Sequence, residues 1–365
     1  MPVNDYSTLQ GPSLLKRTLG HQNRQSGKPL GLSSEYDTVL INLLPFDDKD
    51  EQSNTPGAKS AQVLRRVNDQ TFFVMRSDTQ PEIRDEIASL DAVEAIVAPH
   101  GKALIDLYFR IIHPSYPMIH KKVFLEKYAR NYREITPPGL AAVYILALNW
   151  WSYSPELVRL EKPKLHDLEK LFPKMMADAY DRPKISDLQA GLVYLQRPEG
   201  DSWSLTGQLI AMGQSLGLHY DCSDWRIPDW EKGLRKRLAW ALFMQDNWGG
   251  LVHGKPPHIT RNNWDVKPVK ISDFPETAED DDDDEGSSEV EKGMLIFINM
   301  ISLTEILADI LYSFFSIRAK NRSHNTADVL AKAKPIQLRL KTWYSHLPPC
   351  IAMEELKPRK LSSIG

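Results

Sequence analysis

The sequence predicts an all-α fold, an irregular multi-helix domain, on three observations. From about Pro81 onward apolar residues recur at helical spacing, strand-like alternation is scarce, and the joints between periodic segments carry proline or glycine. No stretch repeats another at a fixed period, which disfavours a solenoid. The 365 residues, 42% hydrophobic and 25% charged, are enough to bury one large core or two modest ones.

The elements follow in order. Residues 1–80, rich in Gly, Ser, Asn, Gln and Asp, read as a mostly irregular lead-in, with the apolar island Tyr36 to Phe46 as a short element docked on the main body. Residues 81–350 read as the helical domain. Leu104, Leu107, Tyr108, Ile111 and Ile112 share one helical face; Pro114 stops that helix and Pro117 forces a second extended step. Ala141, Ile145, Leu148 and Trp151 mark the next face, then Leu165, Leu168, Phe172, Met175 and Ala179, with Pro173 as a kink or break. Ile185, Leu188, Leu192 and Leu195 follow. Leu205, Leu209, Met212 and Leu216 form a helix that Gly217 ends in a left-handed turn.

The longest marked helix begins near Pro228. It carries Trp230, Leu234, Leu238, Ala241 and Leu242 on one side, and Lys232, Arg235, Lys236 and Arg237 on a basic side expected to be solvated. Residues 273–292, centred on the run AEDDDDDEGSS at Ala278 to Ser288, read as a disordered acidic loop. Contiguous, self-repelling aspartates do not supply the spaced carboxylates of a metal-diphosphate site. Two further faces, Ile296 to Phe314 and Ile336 to Leu347, close the domain, and residues 351–365 form a tail.

Charge and cysteine usage narrow the function classes. With 45 Lys+Arg against 48 Asp+Glu, the net charge of -3 gives no global attraction for nucleic acid or anionic lipid. Only Cys222 and Cys350 are present, which fits a reducing compartment and excludes a cysteine-built zinc site within the chain. The first residues lack a cationic start followed by an apolar run, and no stretch approaches the roughly 18 apolar residues of a membrane span. No membrane association is expected.

The chemical motifs are incomplete. Gly249 to Lys255, GGLVHGK, has phosphate-loop spacing, but Pro256 stands where a Ser or Thr would hold magnesium, and a helix precedes it where a strand should be. His113, His120, His219, His253 and His258 include no pair in the H-E-x-x-H arrangement that places two ligating rings on one helical face. His113 is expected at a helix end, bonding free carbonyls, and His120 on a neighbouring loop. Cys222 beside His219 and Asp221 is a sequence neighbourhood without a nucleophile elbow. A helix-borne carboxylate at Asp246 is expected to bond amides of the loop at residues 254–257, where Gly254 permits the turn and Pro256 stiffens it. Trp240 and Trp248 are expected to contact neighbouring helices.

Three blocks stand in a characteristic order. The first is Tyr108, Phe109, His113, Pro114, Pro117, Met118, Ile119, His120 and Phe124; the second is the helix from Gly207 through Gly217 to His219. The third is Glu231, Arg235, Arg237, Leu238, Trp240, Asp246, Gly254, Lys255 and Pro256, with Lys255 in place of the commoner arginine. Together they resemble the "middle homology" domain of the fungal binuclear-zinc-cluster transcription regulators, over most of residues 95–350. Phrases such as LIDLYFRIIHPSYPMIHKKVFLEKY and EKGLRKRLAWALFMQDNW look most like the nitrogen-utilisation co-activators of the TamA type.

That resemblance implies a nuclear, non-enzymatic regulator of transcription, working with pathway-specific regulators and the transcription machinery, with a dimer allowed. The family's DNA-binding module needs six cysteines and two zinc ions. This chain has two cysteines, so it carries no cofactor of its own, and DNA contact is expected only through an N-terminal module or a partner. The tail looks short of a complete family domain. Two rival readings stand beside this one: an all-α enzyme or small-molecule binder built around His219, Asp246 and His253, and a scaffold that binds another regulator without touching DNA.

Overall fold

A computed structural model describes residues 3–274, 284–321 and 325–351, apart from 4, 32, 35–36, 53–61 and 199. Among the described residues there are twelve α-helices, and the all-α reading holds for the body of the chain. Most of the described residues before Gln80 are irregular, as their composition suggests, but four short strands stand among them. Strands β1 (Gln25–Pro29), β2 (Glu51–Gln52), β3 (Gln62–Arg66) and β4 (Phe72–Ser77) form one antiparallel sheet in the order β1-β4-β3-β2. Val63 stands opposite Met75, and Gln25 opposite Ser77.

Helix α1 (Thr38–Ile41) and the residues after it cap this sheet. Phe73 and Met75 face Trp225, Cys222 and Ile227 of the helical body, while Phe72 and Val74 face Ile41, Leu44 and Phe46. The central strand β4 is therefore covered on both faces. A strand so placed reads as a continuous apolar run rather than an alternating one, which hides it from period-two patterning. The island before Phe46 docks on the sheet, not on the helical body as expected; its Tyr36 lies outside the described residues.

The body comprises α2 (Gln80–Val97), α3 (Gly101–Ile111), α4 (Lys121–Arg130), α5 (Pro137–Asn149), α6 (Leu165–Asp181), α7 (Ile185–Tyr194), α8 (Trp203–Ser215), α9 (Asp229–His253), α10 (Asp284–Phe314), α11 (Ile317–Lys320) and α12 (Thr326–Ser345). α5 lies at the centre, packed by α2, α3, α6 and α7, and every residue from Pro137 to Leu148 is buried. Its sequence is apolar on all sides, as a fully enclosed helix requires. α6 runs unbroken through Pro173, which sits on the exposed side, so the break expected there is absent.

α8 ends as its glycine predicts. Gly217 has φ +72°, its amide reaches the Gln214 carbonyl (3.0 Å), and the Leu218 amide reaches that of Gly213 (2.9 Å), a Schellman closure. The acidic segment is shorter than a loop over 273–292. Asp273 closes a 3-10 turn and pairs with Lys236 at 3.1 Å, and Asp284 already opens α10. Residues 275–283 and 352–365 lie outside the described residues.

Val290–Phe314 of α10 is long and apolar enough to cross a membrane by length and composition, which corrects the expectation that no stretch is. Here it packs between α9 and α12, with Phe297, Ile301 and Leu307 buried.

Candidate functional site

The sequence-marked residues converge on two joints along α9. The first is the proline knuckle between α3 and α4. Tyr108 and Phe109 point into the core, Phe109 meets Phe124 edge-on at 5.5 Å, and His113 packs against Phe109 at 5.1 Å. His120 caps α4 by accepting the Val123 amide on Nδ1 (3.4 Å), and its ring meets Trp230 of α9 at 4.7 Å. Both histidines are buried. His120 thus serves its own helix N-terminus.

Prolines 114 and 117 prevent a regular ladder, so the knuckle's carbonyls take side-chain donors instead. Arg237 Nη1 donates to the Pro117 carbonyl at 2.5 Å, and Gln189 Nε2 to that of Met118 at 2.6 Å. The basic face of α9 is thus partly buried, contrary to the solvated face expected: Arg237 is 0% and Arg235 3% exposed. Arg235 donates to Glu231 (3.1 Å) and to the Leu216 carbonyl at the end of α8 (3.1 Å). A guanidinium offers five donors in a fixed fork, which suits it to tie several backbone segments at once.

The second joint lies beyond the C-terminus of α9. Gly254 adopts φ +63° and ends the helix, and the Lys255 amide returns to the Gly250 carbonyl at 3.0 Å. Asp246, fully buried, accepts the His258 amide (3.0 Å) and His258 Nδ1 (2.8 Å) on Oδ1, and the Ile259 amide (2.7 Å) on Oδ2. Pro256 and Pro257 have no N–H, so the first amides after them that the carboxylate can take are those at 258 and 259, just past the expected 254–257. Lys255 extends its ammonium over the Trp203 ring at 5.5 Å. Trp240 donates to the Lys267 carbonyl and Trp248 to Thr304 of α10, each at 2.9 Å.

The rival constellation does not assemble. Asp246 is engaged by His258, His253 bonds Ser202 Oγ at 3.1 Å, and His219 lines a cavity of about 140 Å³ with His258 and Trp264, which neither Asp246 nor His253 lines. Cys222 is buried with Sγ against the Lys232 carbonyl, and burial pushes its thiol up to about 11, away from thiolate reactivity. The phosphate-loop lookalike is helical through Gly249 and Gly250. The zinc that the resemblance implies finds no donor set here. Cys350 is exposed and Cys222 buried, and no three His, Cys, Asp or Glu side chains converge to hold a metal among the described residues.

Sequence reasoning missed two sets of contacts. The N-terminal residues are strapped to the body by buried charges: Glu231 accepts the Leu19 and Gly20 amides, both at 2.9 Å, and Glu134 accepts the Val3 amide at 3.0 Å and the Tyr6 hydroxyl at 3.2 Å. Lys127 donates to the His21 carbonyl at 3.0 Å, and Lys184 to that of Asn23 at 3.2 Å. Such partners lie more than a hundred residues away, and no local pattern marks them. The other is Gly293 of α10, where a Cβ would stand 1.8 Å from the Pro114 carbonyl oxygen, so helix and knuckle meet backbone to backbone.

These marked side chains join helices to one another and to the N-terminal strap, which defines a domain with a helical body. The comparisons give the family. The fungal specific transcription factor domain matches residues 105–345, and the chain belongs to that family. It is 33% identical to the transcriptional activator protein DAL81 of Saccharomyces cerevisiae, over 92% of this chain and 38% of that protein. An uncharacterized transcriptional regulatory protein of Schizosaccharomyces pombe is 30% identical over 61% of this chain and 33% of its own length. The nitrogen assimilation transcription factor nirA of Emericella nidulans is 23% identical over 70% of this chain and 30% of its own length. The chain thus spans between 30% and 38% of the length of these relatives. No solved structure matches it.

Proposed function

We propose that this chain is the regulatory, protein-interaction domain of a transcription regulator or co-activator of nitrogen-source utilisation genes. The observation that carries this reading is the similarity to the activator DAL81 along 92% of the chain, and the match to a nitrogen assimilation factor supports it. The domain works in the nucleus beside pathway-specific regulators and the transcription machinery. DNA contact comes through a module or partner other than these helices.

Two structural features support an interaction role over a catalytic one. The family-motif side chains Arg235, Arg237 and Asp246 are engaged in joints between helices. On α11 and α12, Ile317, Leu330, Leu338 and Tyr344 are between 55% and 75% exposed, the kind of apolar surface that a partner regulator covers. Deleting the gene and measuring chromatin recruitment of the transcription machinery at nitrogen-utilisation promoters tests the reading. Loss of recruitment is expected, and unchanged occupancy overturns it.

A further inference from the structure

Helix α12 runs for 20 residues without burying one of them. Its inward side, Ala333, Ile336 and Trp343, is half-buried, and polar ties hold it to α10: Trp343 Nε1 donates to Ser302 Oγ (3.0 Å) and to the Asn299 carbonyl (3.2 Å), and Arg339 pairs with Asp309. We propose that the outward flank of α12 receives an acidic amphipathic helix of a partner protein, which gives a chemistry to the interaction role on which this rests.

Helical spacing defines the flank. Leu330, Lys334, Leu338, Lys341 and Tyr344 fall within about a third of the helix circumference, and all five are exposed. The three apolar ones are each more than half exposed. Apolar anchors that recur along one side of a helix are the means by which amphipathic helices recognise one another.

Charge selects the kind of partner. Lys332, Lys334 and Lys341 have no acidic partner among the described residues, whereas Arg339, on the other side of the helix, has Asp309. The one acid of α12, Asp328, sits in the first turn away from the flank, where the helix dipole favours it. The flank therefore offers two uncompensated ammonium groups and no carboxylate. Lysine stems lie along apolar surface while their heads reach for charge at its edge, so Lys334 and Lys341 suit carboxylates bordering an apolar stripe. A merely solvated face would carry the lysines without the leucines, and a face for an uncharged helix the leucines without the lysines.

Two other anionic partners fit less well. A helix that lies in a membrane surface separates its apolar and charged residues onto opposite faces, whereas here Lys334 and Lys341 fall between Leu330 and Leu338 around the helix. A nucleic-acid backbone meets proteins through its phosphates and leaves Leu330 and Leu338 nothing to bury against.

The test uses the purified 365-residue chain and a fluorescent peptide of about 20 residues, a helix with a leucine stripe bordered by glutamates, followed by anisotropy. Controls carry glutamine or lysine in place of glutamate. The glutamate peptide should bind saturably, about tenfold or more tighter than the glutamine peptide, and more weakly as salt is raised. Lys334→Glu with Lys341→Glu, both at exposed positions, should leave the thermal melt unchanged, weaken the glutamate peptide about tenfold and admit the lysine peptide in its place. Equal binding of the glutamate and glutamine peptides overturns the proposal, as does binding that survives the double substitution, or none up to about 1 mM. Co-sedimentation with anionic vesicles without peptide binding would assign the flank to a membrane, and a dimer dissolved by Leu338→Ser would assign it to a second copy; either overturns the proposal. Failure here, with induction still lost when the gene is deleted, would remove the acidic partner and leave the regulatory reading standing.

Discussion

Arg237, at the middle of α9, donates to the carbonyl of Pro117 across 120 residues of sequence, at 2.5 Å and with no exposure to solvent. Its guanidinium also lies 5.3 Å from the centre of the Phe274 ring. One side chain therefore holds the proline knuckle to α9 and makes one structural joint of two distant stretches of sequence.

Replacing Arg237 by leucine removes that donor and leaves the Pro117 carbonyl buried without it. A cost of about 2–4 kcal/mol is expected. Urea denaturation followed by tryptophan fluorescence measures it, and a midpoint equal to that of the wild type would show that the joint contributes nothing.

Gly293 and Gly249 form a matched pair of helical glycines. A methyl at Gly293 meets the Pro114 carbonyl oxygen at 1.8 Å, whereas one at Gly249 meets only the Trp203 ring, at 3.6 Å. Gly293→Ala should therefore destabilise by about 2 kcal/mol or more, since α10 has to move off the knuckle. Gly249→Ala should be neutral or gain up to about 1 kcal/mol from helix propensity. Thermal melts of the two variants, run side by side, decide the matter.

Asp246 anchors the segment after α9 through three hydrogen bonds. Asp246→Ala leaves the amides at 258 and 259 without an acceptor, and about 3 kcal/mol of stability should be lost. Amide hydrogen exchange should accelerate most at residues 258–259. Uniform acceleration over the whole chain would point to global unfolding instead of this joint.

Stability should carry a signature from Lys127. Burial, with the Lys184 charge adding to it, lowers its ammonium to about 7. An unfolded lysine titrates near 10.4, so between about pH 7 and pH 10 the unfolded chain binds a proton that the folded chain does not. Stability from this group therefore rises with pH across that window. The difference in urea midpoint between wild type and Lys127→Met should move in favour of the wild type from pH 7 to pH 10. A constant difference would mean that Lys127 keeps its ordinary affinity for protons.

The sequence made local features legible and long-range ones illegible, for physical reasons. Gly217 and Gly254 take left-handed backbone where a periodic helix stops at glycine, a signal contained in a few consecutive residues. The loop held by Asp246 was legible in kind and displaced by one or two residues, because two prolines lack the amides it needs. The burial of Arg235 and Arg237 was not, since charge patterning along one helix says nothing of Pro117 or Leu216 reaching it from elsewhere. β4 escaped because both of its faces are covered, Phe73 by Trp225 and Phe72 by Phe46.

The regulatory role is tested most directly by reporter expression from nitrogen-utilisation promoters after transfer to a secondary nitrogen source, in a strain from which the gene has been deleted. Loss of induction, restored by the wild-type gene, is the predicted result. Induction at the wild-type level in the deletion strain would contradict it.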